Sequence, residues 1–199
     1  MTFGVGPAGT GKTYVALGVA AMMLQNKEID VIYVIRSPVE AGEKLGFLPG
    51  TDVDKIDPYF TTVKSILYRF LGRGVVDCAI KSGKIVFAPF AFLRSGTIDR
   101  GFVLVEEAQN TTITQMKLAL SRVGHYTRYC IAGDDRDQFD LPEGVVSGLT
   151  HAVHLFGDMD NIGVIKFEVD EIVRSPRCKE VIKAYRSVRA TNTRLEKVS

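Results

Sequence analysis

An α/β fold in three layers, with helices on both faces of a mostly parallel sheet, is what this sequence predicts, and three observations predict it. Short continuous apolar runs recur, among them Val31-Ile32-Tyr33-Val34-Ile35, Ile85-Val86-Phe87-Ala88 and Phe102-Val103-Leu104-Val105. Unbroken runs of this length are the pattern of strands covered on both faces, whereas a half-exposed strand alternates. Segments with helical spacing separate the runs, and strand, helix, strand in that order calls for a right-handed crossover and a parallel sheet. Finally, a glycine-rich stretch, Gly6-Pro7-Ala8-Gly9-Thr10-Gly11-Lys12-Thr13, joins the first strand-like segment to the first helical one.

At 199 residues, 46% hydrophobic and 24% charged, the chain is sized for one domain with a substantial core. That domain is expected over residues 1–188, with a polar tail over 189–199. A net charge of +2, from 25 basic and 23 acidic residues, gives no global field of the kind a general nucleic-acid binder carries. Cys78, Cys130 and Cys178 are too far apart for a disulfide framework or a metal knuckle and are expected as reduced core thiols. No room for a signal peptide precedes the glycine-rich stretch, and no apolar run reaches the roughly 18 residues that span a bilayer. A cytoplasmic protein with no membrane partner is the expectation.

Taken in order, Thr2–Val5 is a short strand and Tyr14–Leu24 a helix apolar nearly all round, expected under a second layer. Asp30–Ile35 is the next strand, ended by Arg36-Ser37-Pro38. In open parallel sheets ligands gather at the carboxyl ends of strands, so Arg36 is a candidate to face phosphate and equally a solvated charge. Residues 41–50, AGEKLGFLPG, read as a loop or broken helix. From Asp57-Pro58 onward Phe60, Val63, Ile66, Leu67, Phe70 and Leu71 fall on one helical face, a core stripe or a partner surface, closed by Gly72-Arg73-Gly74. Val75–Lys81 is a second short helix and Lys84–Ala88 a strand stopped by Pro89. Phe90, Phe92, Leu93, Arg94 and Thr97 then mix aromatics with a cation, a pattern of core packing or of base stacking.

Further on, Gly101–Val105 is a buried strand delivering Glu106 and Glu107, and Asn110-Thr111-Thr112 caps a helix carrying Ile113, Met116, Leu120 and Val123. Arg128–Ala132 is another strand, leading into Gly133-Asp134-Asp135-Arg136-Asp137-Gln138. Ser147–Phe156 is a helix, Ile162–Val169 a strand, and Pro176–Val188 a closing helix with Val181, Ile182 and Tyr185 inward.

The glycine-rich stretch satisfies G-x-x-x-x-G-K-[ST], a loop whose backbone N–H groups close around a phosphate at a helix N-terminus. Gly6, Pro7, Ala8, Gly9, Thr10, Gly11, Lys12, Thr13 and Tyr14 are therefore the expected nucleotide contacts, with Lys12 on the β- and γ-oxygens. Magnesium takes oxygen ligands and keeps several waters, so Thr13 and Glu106 are its candidate holders. Glu107 is the candidate to orient the attacking water, Gln138 to sense the γ-phosphate, and Arg174 to act as an arginine finger. Lys12, Glu107, Gln138 and Arg174 make up the expected catalytic set.

These motifs together resemble the PhoH family of phosphate-loop ATPases, whose core is similar to one RecA-like motor domain of superfamily one helicases. The likeness rests on GPAGTGKT at 6–13, RSPVEAGEKLGFLPG at 36–50, VEEAQNTT at 105–112, GDDRDQFDLP at 133–142, SGL at 147–149 and VRSP at 173–176. It implies ATP and Mg2+ as cofactors, a link to single-stranded RNA, and the roles just given for residues 9–13, Glu106, Glu107, Gln138 and Arg174. The chain departs from the family in having Glu106 where an aspartate is usual, and no nuclease-like PIN domain is expected within these 199 residues. A lone motor domain lacks a second lobe, so a homo-oligomeric ring is expected. A nucleotide-dependent binding module that switches a partner with negligible turnover is the alternative.

Overall fold

The computed structural model describes residues 1–36, 60–134, 140–142 and 144–196. The expectations for residues 41–50, for a helix start at Asp57-Pro58 and for Gln138 lie outside the described residues. Six strands, β1 (Thr2–Val5), β2 (Val31–Arg36), β3 (Ile85–Pro89), β4 (Gly101–Glu106), β5 (Arg128–Gly133) and β6 (Gly163–Lys166), form one sheet in the order β3-β2-β4-β5-β1-β6. Every pairing is parallel, where the sequence predicted a mostly parallel sheet. Between the strands run α1 (Lys12–Gln25), α2 (Thr61–Leu71), α3 (Arg73–Lys81), α4 (Ile113–Leu120) and α5 (Gly148–Phe156), and α6 (Pro176–Glu196) closes the described chain.

Alternation along each strand divides the interior into two cores. Ile32, Val34, Phe102, Leu104 and Ala132 meet α1, α2 and α3 on one face of the sheet, with Leu17 and Leu67 fully buried among them. Phe3, Ile35, Val103, Val105 and Ile131 meet α4 and α5 on the other. Helices on both faces explain why the inner strands read as unbroken apolar runs: every residue of β4 is buried, whereas on the edge strand β6 Ile165 is exposed.

Local chemistry sets the boundaries. Gly72, at φ 82°, breaks α2 from α3 in a single residue, so α3 starts at Arg73 and takes Gly74 into its first turn. Thr112 caps α4 in a reciprocal box, its hydroxyl accepting from the Gln115 N–H while the Gln115 side chain accepts from the Thr112 N–H. That helix stops at Leu120 instead of reaching Val123, because Val123 pairs with Ile98 and the Gly124 N–H donates to the Ile98 carbonyl. β6 is shorter than the Ile162–Val169 expected: after the Phe167 N–H donates to the Val5 carbonyl, residues 169–171 turn away in a 3-10 helix.

Three burial expectations are corrected. Val15, Val19 and Met22 are exposed, so the outer face of α1 has no layer over it among the described residues. Val181 and Tyr185 are exposed too, and α6 continues to Glu196 beyond the Val188 end read from the sequence. No residue from 176 to 187 is buried. All three cysteines are free, but Cys78 is exposed and only Cys130 sits against a core, where burial pushes its thiol up to about 11. Phe90 and Leu93 of the 3-10 turn after β3 are core residues, while Phe92 is exposed beside Tyr33. No helix among the described residues is long and apolar enough to cross a membrane.

Candidate functional site

Residues 6–11 bridge β1 to α1 at the carboxyl edge of the sheet, and their glycines are required by geometry. Gly6 has φ 149°, and a Cβ there would run into the Phe167 carbonyl oxygen. Gly9 has φ 84°, and its Cβ would come within 3.2 Å of the Arg174 Cβ. A side chain at Gly9 is therefore opposed twice, by backbone conformation and by space. The Thr10 hydroxyl donates to the Pro7 carbonyl at 2.9 Å, and Lys12 Nζ donates to the Gly6 and Pro7 carbonyls at 2.7 Å each. The loop is thus held curled by its own lysine.

The second half of the site comes from β4. Glu106, its last residue, is buried, and its Oε1 accepts from the Thr13 hydroxyl at 2.7 Å. Residues 93 positions apart in sequence are in direct contact. Burial pushes the Glu106 carboxyl above its ordinary range and Glu107 adds to that, while the Thr13 hydrogen bond and the Arg36 charge pull it back. Glu107 follows in a left-handed conformation, φ 51°, which swings its carboxylate out of the strand line toward the cleft. Arg36, at the end of β2, straddles the pair: its guanidinium lies 4.0 Å from Glu106 Oε2 and 3.7 Å from Glu107 Oε1. The two sequence readings of Arg36, phosphate-facing or solvated, resolve into a third, a counter-ion to both glutamates at the mouth of the cleft.

Arg174 arrives from the other side. The Val173 N–H donates to the Gly9 carbonyl at 3.0 Å, so the start of α6 is fastened to the glycine-rich loop and Arg174 lines the same cleft. Tyr14, its ring centroid 4.9 Å from that of Phe70, lines it too. The cleft holds about 1170 Å³, with one face of α2 opposite the loop. Lys12, Thr13, Tyr14, Glu106, Glu107 and Arg174 therefore meet in one place, together with Ala8, Gly9, Thr10 and Gly11. Gly6 and Pro7 support it from beneath through the Lys12 bonds. Among the described residues no group of three or more His, Cys, Asp or Glu side chains is placed to hold a metal without other ligands.

Sequence reasoning passed over two neighbours. Gln109, 1% exposed, donates from Nε2 to Glu107 Oε2 at 2.7 Å and accepts the Asp134 N–H at 3.0 Å. Asn110 exchanges two hydrogen bonds with Asp140, one through its side-chain N–H to Asp140 Oδ2 and one from the Asp140 N–H. Both amides lie within the VEEAQNTT stretch, but their partners are 25 and 30 residues downstream, beyond the reach of spacing rules.

An all-parallel three-layer sheet with a G-x-x-x-x-G-K-[ST] loop at its carboxyl edge and acidic residues closing on it from β4, one strand beyond β1's neighbour β5, defines the class: the arrangement is that of a phosphate-loop NTPase fold. Comparison with known proteins narrows it. Residues 1–186 match the family described as PhoH-like protein, and the chain belongs to that PhoH family. It is 43% identical over 185 residues to the PhoH-like protein of Bacillus subtilis (strain 168), covering 93% of this chain and 58% of that protein. The PhoH-like protein of Mycobacterium tuberculosis (strain ATCC 25618 / H37Rv) is 42% identical over 185 residues, 93% of this chain and 52% of its own length. Protein PhoH of Escherichia coli (strain K12) is 39% identical over 187 residues, with 93% and 52% covered. The chain spans a little over half the length of these relatives.

Proposed function

We propose that this chain binds ATP with Mg2+ at the glycine-rich loop and hydrolyses it, in the cytoplasm, coupling turnover to action on single-stranded RNA or a protein–RNA assembly. The observation that carries the reading is the 2.7 Å contact between the Thr13 hydroxyl and Glu106, with Glu107 beside it in the same cleft. Thr13 and Glu106 are hard oxygen donors of the kind magnesium takes, and too few to hold a metal alone, which suits an ion that keeps waters and phosphate oxygens as its remaining ligands. Held by Thr13 and Glu106, magnesium would supply positive charge against the charge of the phosphates.

The chain's own groups supply the rest. Lys12 exchanges two carbonyl acceptors for phosphate oxygens as the nucleotide enters, keeping its charge satisfied in both states. Glu107, its side chain 37% exposed toward the cleft, holds and orients a water. Arg36 screens the two carboxylates from each other and from an incoming polyanion. Arg174, tied to the loop through Val173, stands where a guanidinium can stabilise charge on the transferred group.

For RNA, the carboxyl end of β3 offers an exposed aromatic, Phe92, with the exposed cation Arg94, a pair suited to stacking on a base. A homo-oligomer, a ring in particular, would set a neighbouring copy against the cleft. Phosphate release from ATP, measured with and without Mg2+ and single-stranded RNA, tests the reading: the expected result is Mg2+-dependent turnover that RNA raises. Light scattering after size exclusion, with and without ATP, tests assembly, and a monomer in both conditions would refute the ring. One observation favours a second reading, a nucleotide-dependent switch with negligible turnover. Glu106 has one methylene more than the aspartate usual in the family and engages Thr13 directly. Tight nucleotide binding without phosphate release would select that reading.

A further inference from the structure

We propose that Gln109 is the positioning residue for Glu107: its side-chain amide fixes the carboxylate that orients the attacking water, by bracing it against the end of β5. The inference rests on the hydrolytic reading above and gives that reading a part it lacks. A glutamate at a strand end with a left-handed backbone and an exposed side chain has several rotamers open to it, and a water-orienting group cannot work from several. Arg36, at 3.7 Å, supplies charge but little direction.

Gln109 supplies the direction. Its Nε2 donates to Glu107 Oε2 at 2.7 Å, and its Oε1 is held by the Asp134 backbone N–H at 3.0 Å, so both ends of the amide are engaged and its orientation is determined. The side chain is 1% exposed, which removes water as a competitor for either bond. The backbone it braces against is shaped for it: a Cβ at Gly133 would come within 2.8 Å of Gln109 Oε1. Gly133 also accepts the Gly6 N–H at 3.2 Å, so the brace stands on the strand end that supports the glycine-rich loop. The next residue, Asn110, makes a paired contact with Asp140, anchoring the same short turn on its other side. The turn at 108–110 therefore carries Glu107 on a frame fixed to β5, and the oxygen left facing the cleft is Oε1, the one Arg36 approaches.

The test uses Gln109→Met, which keeps the length and removes the amide, and Gln109→Glu, which keeps an acceptor for the Asp134 N–H and removes the donor to Glu107. Misplacing a reacting group by about 1 Å costs about 100-fold, so both variants are expected to lower kcat about 10–100-fold while the Kd for ATP, measured with a fluorescent analogue, stays within about threefold. Because Gln109 acts through Glu107, Gln109→Met placed in a Glu107→Gln background is expected to add less than about a twofold loss. Full kcat in both single variants, a loss confined to ATP affinity, or losses that multiply in the double variant would each overturn the proposal. Should Gln109→Met fail to fold, Gln109→Glu decides alone, with amide exchange at Asp134 reporting that the bond it keeps is intact. A wild-type protein that binds ATP and releases no phosphate overturns the hydrolytic reading itself, and the positioning role with it. Turnover by the wild type that survives undiminished in the variants overturns the positioning role only.

Discussion

Gly18 gives the most quantitative prediction, because two opposing effects of known size meet there. It lies inside α1, where glycine costs about 0.5–1 kcal/mol relative to alanine through backbone entropy, so Gly18→Ala gains that much from helix propensity. The added Cβ, however, would stand 2.9 Å from Phe70 Cζ, 3.2 Å from Cε1 and 3.4 Å from Cε2, in the seam between α1 and α2. Phe70 cannot retreat freely, since its ring packs on Tyr14 at 4.9 Å between centroids. Overpacking of this kind costs about 1–3 kcal/mol. The net expectation for Gly18→Ala is a loss of about 0–2.5 kcal/mol, and removing the ring should reverse its sign: in a Phe70→Leu background the same substitution should stabilise by about 0.5–1 kcal/mol. Urea unfolding followed by circular dichroism, with the four proteins of the cycle compared at constant slope, reads both numbers. Stabilisation by Gly18→Ala with Phe70 intact, or coupling below about 0.5 kcal/mol, would refute the reasoning.

Lys12→Ala should weaken ATP binding about 10–100-fold, the cost of a charge-assisted contact, and an unchanged titration with a fluorescent ATP analogue would remove Lys12 from the site. Glu107→Gln should keep binding and slow phosphate release about 100-fold or more; normal turnover in that variant would move the water-orienting role elsewhere. The Asp170 carboxylate pairs with Lys183 at 2.9 Å and with Lys179 at 3.0 Å, which hold it down to about 2 from the usual 3.8. A depressed carboxyl contributes stability that is present above the unfolded value and lost as pH falls through the folded one, so the tether between the 169–171 turn and α6 should loosen between pH 4 and pH 2. Carboxyl NMR should find the midpoint near 2 in the wild type and closer to 3.8 in Lys183→Met, and a wild-type midpoint at or above 3.8 would show that the contact does not persist in solution.

The sheet was legible because its chemistry is written locally. Strands buried on both faces need apolar residues at every position, and a loop that curls around an anion needs glycine, lysine and threonine at fixed intervals. Convergence was legible to the extent that both halves of the site sit at strand ends, and parallel strands all end on one edge. Periodicity, though, tells which residues share a face and not what that face meets. Val15, Val19 and Met22 share one that is exposed among the described residues, as do Val181 and Tyr185. Long-range polar contacts leave no periodic trace either. Nothing near Gln109 in the sequence announces the Asp134 backbone, and nothing near Gly133 explains why a glycine stands there until Gln109 is seen packed on it.

The fastening of Val173 to Gly9 has a mechanical consequence. Twenty-one residues of α6 extend from that point, a rod of about 30 Å at 1.5 Å per residue, with no buried residue along 176–187. A rod held near one end is a lever arm. A tug or a twist applied to its far end would reach Gly9 and Arg174 through two anchor points, the Lys179 and Lys183 contacts with Asp170 and the Val173 N–H bond to the Gly9 carbonyl.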